Sequence, residues 1–209
     1  VVPGIRIAAP RDAVTLREEL NEAVAVKDAP TVVRFSKGQV GSSIEAVKRT
    51  NDGVDVLRQS PSKDVLILCV GSMATVGLNV AELLAAQGIG ATVIDPRWVV
   101  PVATSVIEMS AQHRLVVTIE DGIKVGGIGT RVRQDLREAQ IDTALTEIGL
   151  PDEFIDHATR NQILEDTGLT AQAIARDIVA QVVGSRIPHA RSLGASSTAS
   201  DATSPSTIN

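Results

Sequence analysis

Apolar runs and amphipathic stretches alternate along most of this chain, and their order predicts its secondary structure. A continuous apolar run typical of a fully buried strand covers residues 64–71, and residues 91–98, 114–120 and 143–149 predict three further strands. Amphipathic spacing predicts a helix after each of the first three, over residues 73–87, 103–112 and 129–140. Strands that alternate with helices favour a mostly parallel, doubly wound α/β sheet with helices on both faces.

A shorter unit of two strands and one helix precedes this regular part. Residues 5–9 and 31–35 predict strands, and Asp12 is the expected N-cap of the helix between them. The helix face expected to point inward consists of Ala13, Leu16, Leu20 and Val24. Two strands and one helix are too little to close a core, so we expect only part of an α/β domain here.

Three further segments complete the predicted organisation. Residues 39–60 are polar and rich in Gly, Ser and charge, which is typical of an inter-domain linker. Residues 151–183 predict closing helices, the last of which Thr170 is expected to cap. The buried stripe of that last helix is expected to be Ile174, Ile178 and Val182. Residues 185–209 are rich in Ser, Thr and Ala, and we expect them to be disordered.

Composition narrows the expected partners and the compartment. With 209 residues, 44% of them apolar, the chain can bury a substantial core. A net charge of -5, one Trp, two Phe and no Tyr offer neither a basic surface nor stacking rings, so we expect no nucleic-acid partner. No apolar run reaches the roughly 18 residues of a membrane span, so we expect no membrane partner and a cytoplasmic location. Cys69 is the only cysteine, and its apolar run places it in the core.

A glycine-rich turn is the first candidate for a binding site. The stretch LVVTIEDGIKVGGIGTRVRQDL, residues 115–136, has the order of strand, turn and helix by which many proteins bind a phosphate. Its glycines do not complete G-x-G-x-x-G, because Val132 stands at the last position, and no Gly-Lys-Ser/Thr follows. Glu120 and Asp121 also place two negative charges at the end of the strand. The sequence therefore predicts a tight backbone turn rather than a nucleotide site.

Histidine and serine motifs give little support to catalysis. His113, His157 and His189 lie in separate polar contexts without the clustered donors that a metal site needs, so surface or capping roles are expected. A minority interpretation is that His157 lines a domain interface. Neither a G-x-S-x-G elbow nor a convincing order of Ser, His and Asp is present, which argues against a nucleophilic hydrolase.

Two charged stretches at strand ends remain as candidates. Asp95 and Arg97 follow a predicted strand, where a structural ion pair is the first interpretation and a ligand contact the second. Arg34 and Lys37 flank the end of another strand and precede Gly38, so they could bind a phosphate. For Arg34 and Lys37, composition alone favours a basic turn that is exposed to solvent.

Several stretches spread over residues 1–184 resemble one enzyme family. They are VPGIRIAAPRDAVTLREEL, DAPTVVRFSKG, VDVLR, DVLILCVGSMA, ATVIDPRWVVP, VVTIEDGIKVGGIGTRV and IGLPDEFIDHATRNQILEDTGL. Together they resemble the C-terminal third of the 1-deoxy-D-xylulose-5-phosphate synthases. Transketolase and the β subunits of 2-oxoacid dehydrogenases share the fold, but DPRW with IGLPDEFIDHAT is more similar to the synthases.

The resemblance implies a division of the chain and a reaction. Residues 1–38 would end an incomplete pyrimidine-binding domain, and residues 61–184 would form a transketolase-type C-terminal domain after the linker. The family is a homodimer that joins pyruvate and glyceraldehyde 3-phosphate with loss of carbon dioxide, using thiamine diphosphate and magnesium. Its metal motif, pyrimidine-contacting Glu and catalytic histidines match no residue here. The implied partners are therefore the missing N-terminal domains, and the chain alone is expected to be inactive.

One substrate-binding position carries over from the family. The family's Arg-aromatic-Pro-Arg-Gly stretch contacts the phosphate of the aldehyde and reads RFSKG here, so the contact falls on Lys37. Ser36 replaces the Pro, and Lys37 keeps the charge of the Arg but loses its bidentate geometry. The resemblance implies that Arg34 has a structural role. It also implies that the glycine-rich turn is part of the scaffold near a subunit interface. Two alternatives stay open: a non-catalytic interaction or regulatory module with this fold, and a 2-oxoacid dehydrogenase β subunit.

Overall fold

The computed structural model describes residues 2–38 and 40–184, and these residues form two β-sheets. In chain order the strands are β1 (Arg6–Ala8), β2 (Thr31–Val33), β3 (Lys48–Arg49), β4 (Asp55–Arg58), β5 (Val65–Cys69), β6 (Ala91–Asp95), β7 (Trp98–Val100), β8 (Leu115–Ile123) and β9 (Ala144–Leu150). The smaller sheet has the order β2-β1-β7, and the larger one has the order β3-β4-β6-β5-β8-β9. The predicted disorder of residues 185–209 falls outside the described residues.

Helices connect most of these strands. They are α1 (Ala13–Ala25), α2 (Ala74–Ala86), α3 (Thr104–Ala111), α4 (Ile128–Glu138), α5 (Arg160–Asp166) and α6 (Ala171–Gly184), and a 3-10 turn covers Gly71–Met73. As predicted, Asp12 caps α1, because its carboxylate accepts the backbone N–H groups of Val14 and Thr15 at 3.0 and 2.8 Å. Within the described part of the chain, no helix is long and apolar enough to span a membrane.

The larger sheet has the mostly parallel, doubly wound form that the sequence predicts. β5 lies inside it and pairs in parallel with β6 and β8, and β9 adds a further parallel strand beside β8. β3 and β4 extend the opposite edge through antiparallel pairs. These two strands lie within residues 39–60, the stretch that the sequence predicts as a linker.

Helices cover both faces of this sheet because its inner strands are apolar on both sides. Val65, Ile67 and Cys69 of β5 pack on one face with buried residues of α2 and α6. Leu66 and Leu68 pack on the other face with buried residues of α3 and α4. Cys69 is fully buried, as predicted, and burial raises the pKa of its thiol. The predicted stripe of α6 is also buried and consists of Ile174, Ile178 and Val182.

The buried face of α1 differs from the prediction. The residues that this helix buries are Thr15, Glu19 and Ala23. Leu20 and Val24, which the apolar pattern predicts to be inside, are exposed. The prediction is wrong because the inner side of α1 meets charged and polar groups: Glu22, for example, accepts a hydrogen bond from the indole N–H of Trp98 at 2.7 Å.

Candidate anion-binding site

A cleft of about 610 Å³ lies between the segment that follows β2 and the start of α5. Its charged lining residues are Arg34, Lys37, Asp121 and Arg160. Its apolar lining residues are Leu150, Ala158, Ile163 and Leu164. The cleft therefore combines three cationic side chains and one carboxylate beside an apolar wall.

Three separate parts of the chain bring these charges together. Strand β2 ends at Val33, so Arg34 and Lys37 lie directly beyond its carboxyl end. Asp121 lies near the carboxyl end of β8, and Arg160 is the first residue of α5. The carboxyl ends of parallel strands are the usual place for ligands in open α/β sheets, and this cleft lies there.

Asp121 is the centre of the polar contacts in the cleft. Its Oδ2 accepts hydrogen bonds from Ser36 Oγ at 2.8 Å and from Arg160 Nη2 at 2.7 Å. Arg34 Nη1 lies 2.7 Å from Oδ1, and Arg34 Nη2 donates to the backbone carbonyl of Asp121 at 3.3 Å. Ser72, in the 3-10 turn after β5, donates to Oδ2 at 3.3 Å. Asp121 thus joins the segment after β2, the 3-10 turn and α5.

These contacts keep Asp121 ionised. Burial raises the pKa of this carboxyl, but hydrogen bonds from Arg160 and Ser36 and the charge of Arg34 outweigh burial and lower the pKa to about 2. At neutral pH the side chains of the cleft therefore carry two more positive charges than negative ones. A phosphate monoester has a charge of roughly -1.5 to -2 at this pH, which is complementary to that excess.

Lys37 lines the cleft with an exposed side chain that makes no hydrogen bond or ion pair with any residue in the described ranges. The residue before it, Ser36, is fixed by its hydrogen bond to Asp121. A Pro at this position, as in the family's motif, has no hydroxyl to donate. Ser36, which stands where the family's motif has Pro, therefore makes a hydrogen bond to Asp121 that holds the backbone next to Lys37.

The glycine-rich turn binds a carboxylate of its own chain. Glu120 accepts the backbone N–H groups of Ile128 at 3.1 Å and Gly129 at 3.0 Å, where α4 begins. A Cβ on Gly127 would lie 2.5 Å from Glu120 Oε1, so glycine permits this close approach. Burial raises the pKa of Glu120, although the two N–H donors act in the opposite direction. The N–H groups that would face a phosphate in a nucleotide site therefore already have an acceptor.

Asp95 and Arg97 do not form the ion pair that is the first interpretation of their sequence. Arg97 donates only its backbone N–H to Asp95, at 2.9 Å, and its guanidinium donates to Glu22 at 2.5 Å. Asp95 is instead paired with Arg11, whose Nη1 lies 2.7 Å away. Arg97 has a φ of 58°, and this bend directs its side chain towards α1. Both side chains are buried in a structural charge network.

The histidines lie apart from the cleft's polar contacts. His113 is buried, and its Nδ1 lies 2.7 Å from the carbonyl oxygen of Met109 at the end of α3, which is the predicted capping role. His157 is exposed, and His189 lies outside the described residues. In residues 2–38 and 40–184, no group of three or more His, Cys, Asp or Glu side chains could hold a metal ion.

Sequence reasoning found Arg34 and Lys37 but missed their neighbours in the cleft. Asp121 is predicted only as a repulsive charge, and Ser72 and Arg160 carry no prediction. Arg160 is 39 residues from Asp121 along the chain, and Ser36 is 85 residues from it. Contacts over such separations leave no periodic pattern, so the sequence carries no signal for the contact between Arg160 and Asp121.

Comparison with known proteins defines the class of this fold. Residues 54–174 match the family model of the transketolase C-terminal domain, and the chain belongs to this family. A structure described as "Split gene transketolase, inactive beta4 tetramer" is similar with a TM-score of 0.77 and 26% identity, over 88% of this chain and 59% of that one. Transketolase from Campylobacter jejuni shares the fold, with a TM-score of 0.66 and 17% identity over 85% of this chain and 26% of that one.

Within this class, two relatives of high identity share one name. The 1-deoxy-D-xylulose-5-phosphate synthase of Clavibacter sepedonicus is 73% identical over 193 residues, and that of Leifsonia xyli is 72% identical over 193 residues. Each match covers 92% of this chain but 30% of the relative. The resemblance to part of these synthases is therefore confirmed, and the family is of the transketolase type, as predicted.

Proposed function

We propose that this chain is the C-terminal part of a synthase that joins pyruvate with glyceraldehyde 3-phosphate to form 1-deoxy-D-xylulose 5-phosphate, a precursor of isoprenoids. The identity of 73% with the Clavibacter synthase over 92% of the chain supports this reaction. The observation that carries the proposal for the chain itself is the cationic cleft, whose charge suits the phosphate of the aldehyde. The chain spans 30% of that relative, so we expect it to be inactive alone.

Lys37 binds the phosphate of the aldehyde in this proposal. Its ammonium group is exposed at the cleft, and the hydrogen bond between Ser36 and Asp121 holds the adjacent backbone. A charge-assisted hydrogen bond from lysine to phosphate is stronger than one between neutral groups. Thiamine diphosphate, when bound, supplies the carbanion chemistry. The role of this chain is to hold the phosphate, so that the aldehyde carbon lies at the rim of the active site.

The proposal assigns no catalytic, cofactor-binding or metal-binding residue to this chain. Among the described residues, no group of three or more His, Cys, Asp or Glu side chains could hold a metal ion. Thiamine diphosphate and magnesium would be bound by the N-terminal domains of the parent protein, which the proposal makes the first partner of this chain.

The proposed architecture has residues 1–38 as the end of a pyrimidine-binding domain and residues 61–184 as the C-terminal domain of a cytoplasmic homodimer. The C-terminal domain would support dimerisation, with the glycine-rich turn near the subunit interface. The split-gene transketolase described as an inactive β4 tetramer supports association between copies of this fold, because that chain associates with its own copies.

A chimera tests the reaction. The matching segment of the Clavibacter sepedonicus synthase is replaced with this chain, and formation of 1-deoxy-D-xylulose 5-phosphate is measured with pyruvate, glyceraldehyde 3-phosphate, thiamine diphosphate and magnesium. We expect the chimera to form product and the isolated chain to form none. A folded chimera that binds the cofactor but forms no product would contradict the proposal.

Replacing Lys37 in the chimera tests its role in binding the phosphate. We expect Lys37→Gln to raise KM for glyceraldehyde 3-phosphate roughly tenfold, because one charge-assisted hydrogen bond is lost. The KM for pyruvate, which has no phosphate, should stay unchanged. Lys27→Gln is the matched control, since Lys27, just after α1, is also exposed but donates to the backbone carbonyl of Val24 in α1. If Lys37→Gln and the unmodified chimera had equal KM values for glyceraldehyde 3-phosphate, Lys37 would not bind its phosphate.

A further inference from the structure

Charged groups rather than apolar packing link α1 to the larger sheet. Among the described residues, neither of the two buried apolar clusters on the faces of this sheet includes a residue of α1. Arg11, two residues before the helix, instead donates to Asp55 of β4 and to Asp95 of β6, each at 2.7 Å. Arg97, which follows β6, donates to Glu22 of α1 at 2.5 Å. The helix can therefore separate from the sheet without opening either apolar cluster.

Glu19 lies on the buried side of α1 and has no hydrogen bond in the described part of the chain. Its side chain is fully buried, and neither carboxyl oxygen has a partner there. Arg97 Nε is 3.8 Å from Glu19 Oε1, which is too far for a hydrogen bond. The carboxyl group is thus enclosed by the fold but contributes to none of the hydrogen bonds that hold α1 in place.

An ionised Glu19 would be a buried charge without a partner. The charged groups that act on its carboxyl are Asp95, Arg97, Glu22 and Arg11. The two cations among them are already bonded to the two anions, because Arg11 donates to Asp95 and Arg97 donates to Glu22. A further negative charge would therefore find no free cation, and burying an unpaired charge is unfavourable. Burial and the charge of Asp95 accordingly raise the pKa of Glu19 to about 9.

We propose that the Glu19 carboxyl is a proton-operated release for α1: with its proton the helix stays docked, and loss of the proton to the solvent lets the helix leave β4 and β6 while both apolar clusters stay intact. This inference rests on contacts within the chain and not on the proposed reaction. Thr31 Oγ1 of β2 donates to the carbonyl of Ala23 in α1 at 3.5 Å, so release of the helix also removes a support of β2.

The direction of the pH dependence follows from the two states of the helix. In the released helix Glu19 lies in water, where its pKa has the ordinary value of 4.5, whereas in the docked helix the pKa is about 9. Between these values the docked state binds one more proton than the released state, so docking weakens as the pH rises. The population of the released helix should therefore increase roughly tenfold for each pH unit in this range.

Hydrogen–deuterium exchange of the complete 209-residue chain between pH 6 and pH 8, followed by mass spectrometry, tests the release. After correction for the intrinsic exchange rate at each pH, we expect the protection factors of the α1 amides to fall roughly tenfold per pH unit. In Glu19→Gln they should stay constant, because no proton is lost. Glu108→Gln removes an exposed carboxyl of α3 and is the matched control, which should behave as the unmodified chain does.

A low concentration of urea separates release of α1 from unfolding of the whole chain. Global unfolding exposes a large surface and responds strongly to urea, whereas release of one helix exposes little. Helix α6 is the internal reference, since Ile174 and Ile178 belong to an apolar cluster. We expect the α1 amides to be less protected than those of α6 and to respond much less to urea.

Two results would overturn the inference. Equal protection and equal urea dependence in α1 and α6 would mean that only the whole chain opens, so that no separate release exists. A pH dependence of α1 that persisted in Glu19→Gln would assign control to another group. Glu19→Met, which has a similar length and no titrating proton, gives the same comparison if glutamine prevents folding. Product formation by the chimera decides the proposed reaction independently of these results.

Discussion

At the scale of single residues, Glu19 is unusual because its carboxyl is fully buried without a hydrogen bond to any described residue. The nearest cationic contact is Arg97 Nε, at 3.8 Å from Oε1. Burial, with the negative charge of Asp95, raises the pKa of Glu19 to about 9, although Arg97 acts in the opposite direction. The side chain is therefore neutral in the folded chain at pH 7.

We expect Glu19→Gln to stabilise the chain at pH 8 and to change little near pH 4. The unfolded chain loses the Glu19 proton above about pH 4.5, whereas the folded chain keeps it up to about pH 9. The folded state thus binds more protons between these values, so Glu19 makes stability fall as the pH rises. Glutamine has no such proton, and the gain should reach roughly 2 kcal/mol or more at pH 8. Urea denaturation between pH 4 and pH 8 measures it.

Glu82→Gln is the matched control for this experiment. Glu82 is exposed on α2, and its replacement should change the free energy of unfolding little at any pH. If Glu19→Gln stabilised the chain equally at pH 4 and at pH 8, the gain would come from packing, and a neutral Glu19 would be contradicted.

Which residues could be predicted depends on how local their contacts are. Asp12 and Cys69 were predictable, because a cap bonds residues within the next turn and a core cysteine lies in its own apolar run. Glu19 and Asp121 show only a negative charge in the sequence. One is neutral and the other strongly acidic because distant elements place different neighbours around them.

At the scale of secondary-structure elements, α2 packs closely against β5 at Gly77. A Cβ on Gly77 would lie 2.0 Å from Cys69 Sγ, although Ile67 and Val93 would be at ordinary contact distances of 3.4 and 3.6 Å. Glycine in the middle of a helix costs about 1 kcal/mol relative to alanine. The cysteine sulfur therefore occupies the space that a better helix former would need.

We expect Gly77→Ala to destabilise the chain but to stabilise a Cys69→Ala background. In the unmodified chain the new methyl group overlaps with buried sulfur, and overpacking of this kind costs roughly 1–3 kcal/mol. Once the sulfur is removed, the methyl group fills the space and the gain in helix propensity remains. Urea denaturation of the four variants of this double-mutant cycle gives the coupling free energy.

Gly41→Ala provides the control, since a Cβ there would meet no atom within 4 Å. It should change stability by less than about 0.5 kcal/mol in both backgrounds. If Gly77→Ala destabilised both backgrounds equally, the backbone rather than the sulfur would require glycine at this position.

The elements themselves were predictable where burial on both faces produces continuous apolar runs. β5, β6 and β8 are of this kind, and each begins within two residues of its prediction. β3 and β4 are short and pair antiparallel, with β3 at the edge and β4 between β3 and β6, so the polar sequence around them indicated a linker. The bounds of α1 also follow from its pattern, but its orientation does not, because the apolar side of the helix faces away from this chain's core.

At the scale of the whole molecule, the exposed apolar side of α1 is a surface that this chain leaves in water and that a longer protein could cover. Val24 is 74% exposed, and Val14 and Leu20 are also exposed on the same helix. Relatives such as the Clavibacter synthase are about three times as long as the segment they share with this chain. The apolar pattern of α1 is consistent with cover by other parts of the proposed parent protein.

We therefore expect Val24→Lys to leave the isolated chain as stable as before, within about 0.5 kcal/mol, and to destabilise the chimera with the Clavibacter synthase. In the isolated chain the new ammonium group remains in water, whereas in the chimera it would have to enter an apolar contact or break it. Thermal unfolding of both proteins measures the difference. Val183→Lys is the control, because it makes the same change at an exposed position of α6. If Val24→Lys affected the two proteins equally, other parts of the chimera would not cover this side of α1, and the position proposed for residues 1–38 would be wrong.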